Sequence, residues 1–250
     1  MSMAKTSETS HLKNATNFDE LIAYIISYGA TYNPSRASIQ LTALKALSAS
    51  AKPYLTAVHD ALPAYDSAVA ARKVAFAPVG KLVTRVNNAI KATETSEQVD
   101  NNVATLVRKL QGRRATPKKT AEEKAAALAA GQTIVEKSST HLDFITRADN
   151  LDEFTKFLSS VPLYAPNEEE LKVTALTALH NDLNAKNTEV INAEVIVSNA
   201  RIARNKMLYT PLTGLVDIAL DTKTYIKSAF GATSPQYKQI SKLKFTKPRS

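Results

Sequence analysis

The chain has 250 residues, 44% of them hydrophobic and 22% charged, which is enough apolar material for one large core or two modest ones and too mixed in charge for global disorder. Only 6 glycines occur, about a third of the number that a usual share of roughly 7% would supply, which favours long helices over turn-rich sheets. Zero cysteines exclude disulfides, thiolate metal sites and cysteine nucleophiles, and a net charge of +9 leaves a polyanionic partner open.

The amino-terminal stretch "MSMAKTSETSHLKNATNFDELI" has no seven-residue apolar run, so no signal peptide is expected. No run of 18 apolar residues occurs, so no membrane span is expected either, and the cytoplasm is the default location. Asn17 followed by Glu20 predicts an N-cap and a short helix that ends before Pro34, because the residue ahead of a proline is pushed out of the helical region. Ser35 is then placed to cap a long helix. Counted in heptads from Leu44, one column reads Leu44, Ala51, Val58, Tyr65, Arg72, Val79 and Val86, and the other Ser48, Leu55, Leu62, Val69, Phe76, Val83 and Ile90. Apolar spacing held that long predicts a helix packed lengthwise on another helix. Pro53, Pro63 and Pro78 fall inside the pattern, and because the phase continues through Pro78 a kinked helix over about 35–92 is expected. Phe76, beside that proline, reads as a core plug, and Arg72 as an inward cation that pairs with a buried acid or snorkels out.

Next comes "VRKLQGRRATPKKTAEEKAAALAAG", with Arg108, Lys109, Arg113, Arg114, Lys118 and Lys119 and no acid between Asn101 and Ala121. Thr120 with Glu123 predicts a capping box on a short alanine-rich helix that Gly131 ends.

From here the earlier blocks return in order. Asn17-Phe18-Asp19-Glu20-Leu21 is matched by Asn150-Leu151-Asp152-Glu153-Phe154, and "YNPSRASIQLTALKAL" from Tyr32 by "YAPNEEELKVTALTAL" from Tyr164. Phe76-Ala77-Pro78 is matched by Tyr209-Thr210-Pro211, and Ser96-Glu97-Gln98-Val99 by Ser234-Pro235-Gln236-Tyr237. Four ordered blocks at nearly one offset predict a tandem duplication: a first helical repeat at 1–111, a basic linker with its short helix at 112–133, and a second repeat at 134–250. In the second copy Asn167 is the expected cap, and Glu168-Glu169-Glu170 sits where a helix dipole favours negative charge. The long helix is expected to run from about 167 to 230 with a seam of Leu176, Leu179 and Leu183, a one-residue slip, then Ile191, Val195, Ile202, Tyr209, Leu212 and Val216. Pro211 is read as a kink like Pro78. Gly231 ends the helix, and Ser234-Pro235 starts a last short one. A basic tail closes the chain with Lys238, Lys242, Lys244, Lys247 and Arg249.

Catalytic patterns are absent from the sequence. His11, His59, His141 and His180 are isolated, no Gly-rich phosphate loop or G-x-S-x-G elbow occurs, and no metal or cofactor is expected. Asp19-Glu20 and Asp152-Glu153 are explained by helix starts. The elements Tyr32-Asn33-Pro34-Ser35, Ala75-Phe76-Ala77-Pro78 with Lys81 to Arg85, and Ser234 to Gln239 resemble an uncharacterised bacterial family of duplicated, all-helical proteins of about this length. That resemblance implies the architecture and transfers no activity.

The sequence therefore predicts an all-α, elongated, coiled-coil-like helical bundle with two long proline-kinked helices and short flanking ones. It predicts a non-enzymatic structural or self-assembling protein whose partner is itself or another protein. The alternative is a polyanion or nucleic-acid module that uses Arg108, Lys109, Arg113, Arg114, Lys118 and Lys119 together with the tail.

Overall fold

A computed structural model describes residues 8–113, 120–131 and 143–248. These residues form helices α1 (Glu8–Tyr28), α2 (Leu41–Phe76), α3 (Val79–Lys91), α4 (Glu97–Leu110), α5 (Ala121–Ala129), α6 (Phe144–Ser159), α7 (Val173–Tyr209), α8 (Leu215–Phe230) and α9 (Pro235–Ser241), and no strand occurs among them. The chain divides into two compact units, one of residues 1–65 and 193–250, the other of residues 66–192. Both boundaries fall inside a helix, in α2 after Tyr65 and in α7 after Asn192.

In the first unit α1 buries His11, Asn14, Phe18, Leu21, Ile22 and Ile25, a three-and-four spacing that presents one face. That face packs on α8, through Leu215, Val216, Ile218, Ala219 and Ile226, and on Ile240 of α9. In the second unit Val79, Val83, Val86 and Ile90 of α3 pack with Val103, Leu106, Val107 and Leu110 of α4 and with Ala148, Leu151, Phe154 and Leu158 of α6. All fourteen predicted seam positions of the first long pattern are buried or half-buried, from Leu44 and Ser48 to Val86 and Ile90. Ser48 is accommodated because its hydroxyl donates to the Asp19 carboxylate.

The predicted caps at Thr120 and Ser234 form, and Ser96 caps α4 as well: Ser96 and Ser234 Oγ accept from the amides of Val99 and Tyr237, and Thr120 with Glu123 closes a capping box. Gly131 and Gly231 follow their helices with φ of 67° and 88°.

Several local expectations are corrected. Asn17 and Asn150 are not helix starts but lie within α1 and α6, because the buried face extends a further turn or more ahead of each. Asn17 Nδ2 donates to the Lys244 carbonyl, while the cap of α6 is Asp143, whose carboxylate accepts from the Thr146 amide. Ser35 and Asn167 cap nothing. After each proline the chain makes a 3-10 turn, Ala37–Ile39 or Glu169–Leu171, then one extended residue, Gln40 or Lys172, before the long helix begins. A buried tyrosine holds each turn: the Tyr32 hydroxyl donates to the Ile39 carbonyl at 2.5 Å and the Tyr164 hydroxyl to the Leu171 carbonyl at 2.6 Å.

Pro78 and Pro211 mark breaks, not kinks. Helix α2 stops at Phe76, and two residues later α3 restarts with Pro78 in its N-cap position. Helix α7 stops at Tyr209, and Thr210–Gly214 form a turn in which Leu212 has φ of 66°. Gly214 is required there, since a Cβ would lie 2.7–2.9 Å from the backbone of Leu208 and Thr210. The prolines that do lie inside a helix are Pro53 and Pro63, both exposed.

The second seam runs without the expected slip. Leu176, Leu183, Val190, Val197 and Arg204 form one buried column at strict heptad spacing. Ile191, Val195 and Ile202, placed on the seam from sequence, are 47%, 51% and 60% exposed. Arg204 takes the inward position because Glu8 meets its guanidinium.

Candidate functional site

The basic residues singled out from sequence separate. Arg108 and Lys109 lie in the last turn of α4, where cations complement the helix dipole. Lys109 Nζ is 3.2 Å from Glu153, and Arg113 is exposed just beyond the helix. Arg114, Lys118 and Lys119 lie outside the described residues, as do His141 and Arg249. The tail is docked through its backbone and Lys247, while the side chains of Lys238, Lys242 and Lys244 are exposed. Asn14 holds Thr246 through both backbone groups, Lys223 Nζ donates to the Leu243 carbonyl at 2.7 Å, and Lys247 pairs with Asp217 at 2.6 Å.

Arg113 belongs to a cavity of about 580 Å³ in the second unit. Gly80, Lys81 and Thr84 of α3 line one side, Gln111 and Arg113 at the end of α4 another, and Arg147 of α6 a third. No carboxylate is among its lining residues. Gln111 ties the first two walls together, donating to Thr84 Oγ1 at 2.7 Å and to the Gly80 carbonyl at 3.3 Å. Arg147 is half-buried, its guanidinium 5.2 Å from the Phe76 ring centroid and Nη2 donating to the Phe76 carbonyl. Its Nε is buried without a hydrogen-bond partner, and burial lowers its pKa from the usual arginine value, so its charge is poorly solvated. Sequence reading missed Lys81 and Arg147 because the three cations come from segments more than thirty residues apart.

Phe76 is a core plug as expected, edge-on to Phe144 at 4.9 Å. Arg72 pairs with no acid among the described residues and is half-buried: its guanidinium stacks 4.3 Å over the Phe144 ring. In the first unit His11 lies against Tyr209, and Glu8 holds both Arg201 and Arg204. Asp152 reaches Lys156 at 2.6 Å, and Asp19 reaches Lys52 at 3.1 Å. Among the described residues no group of three or more His, Asp or Glu is placed to hold a metal ion, and no helix is long and apolar enough to cross a membrane. No family model, curated protein or solved structure matches the chain.

Proposed function

We propose that this is a non-enzymatic structural protein, located in the cytoplasm, that assembles with itself through a face of α7. The observation that carries this reading is the stripe Ile191, Val195 and Ile202, three β-branched apolar side chains on one side of a helix whose buried column lies on another side. The stripe is self-complementary. In an antiparallel pairing centred between Ile196 and Val197, Ile191 meets Ile202 of a second copy and Val195 meets Ser198. Glu194 then faces Asn199 and Arg201 faces Asn192, so no like charges oppose one another.

The finer architecture belongs to the same proposal: two helical repeats, 1–111 and 134–250, derived by duplication and joined by the basic segment 112–133, with coiled-coil-like packing of the long helices. The paired tyrosine latches and the paired serine caps support the duplication. Heptad spacing of the buried column of α7 supports the packing.

Sedimentation equilibrium tests the assembly. A dimer is expected at micromolar concentrations, weakened about tenfold or more by Val195→Glu, which would bury a charge in the contact. A monomer at every concentration would overturn the reading.

A further inference from the structure

We infer that the cavity between α3, the end of α4 and α6 binds a phosphate-type oxyanion carried by a small molecule. Lys81, Arg113 and Arg147 place three cations around one space with no lining carboxylate, and no ion pair to Lys81, Arg113 or Arg147 forms among the described residues. The start of α3 and the end of α4 both reach the cavity, and their dipole charges, roughly +0.5 and −0.5, offset each other. The three formal charges therefore set the sign of the site.

Arg147 supplies the second argument. It is anchored by its stack on Phe76 and by one bond to the Phe76 carbonyl, which leaves the buried Nε as a donor without an acceptor. Nε itself has no accessible surface, but the half-buried guanidinium has no ion-pair partner among the described residues, and an oxyanion in the cavity would compensate its charge. Thr84 and Gln111 brace this wall by bonding to Gly80 and to each other, so the three cations are the groups left to meet an anion. A volume of about 580 Å³ falls in the range of small-molecule sites, roughly 300–1,000 Å³, and exceeds what one phosphate fills, so the anion is expected to be attached to a larger body. This site is separate from the α7 face and stands independently of self-assembly.

The test is calorimetric titration of the full chain with pyrophosphate at about 0.15 M salt, where exposed charges are screened beyond roughly 8 Å. Binding is expected, weakened roughly tenfold by Lys81→Gln and by Arg147→Gln, the size of effect one charge-assisted contact gives. Lys81 is exposed and Lys81→Gln should fold even if Arg147→Gln does not. The control is Lys91→Gln, ten residues along α3 and so about 15 Å away, which should bind as the native chain does. Absence of binding by the native chain, or equal weakening in Lys81→Gln and Lys91→Gln, overturns the assignment.

Discussion

Nδ1 of His11 lies 2.6 Å from the hydroxyl of Tyr209, and Asn14 Nδ2 donates to that same hydroxyl at 3.2 Å. With Asn14 occupying a lone pair, the phenol proton is free to go to an unprotonated Nδ1, so the neutral imidazole fits the arrangement. Burial lowers the His11 pKa below 6.5, Arg204 and then Arg201 reinforce the shift, and Glu8 opposes it. A histidine whose folded pKa is depressed contributes stability that is fully present above its unfolded pKa and is lost as pH falls through the folded one.

The first prediction follows from that sign. Denaturant unfolding should show stability falling as pH drops below 6.5, with a slope of up to roughly 1.4 kcal/mol per pH unit from this group. His11→Phe, which installs the residue type found at Phe144, should flatten that segment of the profile at a pH-independent cost of about 1 kcal/mol for the lost bond. An unchanged slope in the variant would assign the pH dependence elsewhere.

The tyrosine latches give a second prediction. Burial comes first among the causes that push the Tyr32 and Tyr164 phenols up to about 12. Because these pKa values are raised, the stability they contribute is present below about pH 10 and is lost as pH rises from 10 to 12. Phenolate absorbance should show a late-ionising class that shrinks by one group in Tyr32→Phe and by one in Tyr164→Phe. Each substitution also orphans a carbonyl, of Ile39 or Leu171, and should cost about 1–3 kcal/mol.

The sequence made the first seam legible because apolar residues alternate three and four along α2 and α3 with few competing faces. In α7 two apolar columns compete, Val190 and Val197 against Ile191, Val195 and Ile202, and the inward one carries Arg204. Only the contact with Glu8, some two hundred residues away, makes that cation an acceptable inward residue, and no local pattern reveals it. Serine and threonine caps were readable because each bond closes within three residues. Asn17 has the same composition signal, but its amide is used by the tail at Lys244. The cavity was invisible for the same reason: Lys81, Arg113 and Arg147 become neighbours only through packing of α3, α4 and α6.

The third prediction compares two glycines that follow the two prolines. Gly80 has open space where a Cβ would stand and sits within α3, so Gly80→Ala should stabilise by up to about 1 kcal/mol through helix propensity and a restricted unfolded chain. Gly214→Ala would drive a Cβ into backbone atoms of Thr210 and Leu208 and should cost about 1–3 kcal/mol. Leu212→Gly beside it removes a non-glycine residue from the left-handed region and should be neutral or stabilising by up to about 1 kcal/mol. Thermal melts of the three variants check all three signs, and equal behaviour of the two alanine variants would contradict the close approach at Gly214.

The last prediction separates assembly from polyanion binding. Charge alone should draw nucleic acid to this chain at low salt, since each phosphate neutralised contributes a slope near −0.9 in log affinity against log salt. A dedicated binder would retain submicromolar affinity at about 0.15 M salt, tighter than the nonspecific range of roughly 10⁻⁴ to 10⁻⁶ M. That is not expected here, because Lys109 is engaged by Glu153 and Lys247 by Asp217, and freeing either cation would leave a carboxylate facing the incoming phosphates. Changing Arg108, Lys109, Arg113, Arg114, Lys118 and Lys119 to Gln should abolish the low-salt binding and leave helix content and self-association intact. The Lys109 pair is exposed, so its loss should cost no more than about 1 kcal/mol. Fluorescence anisotropy with labelled DNA and RNA measures the outcome. Submicromolar binding at about 0.15 M salt that disappears in the six-residue variant would make this a nucleic-acid module, with α7 self-association secondary to it.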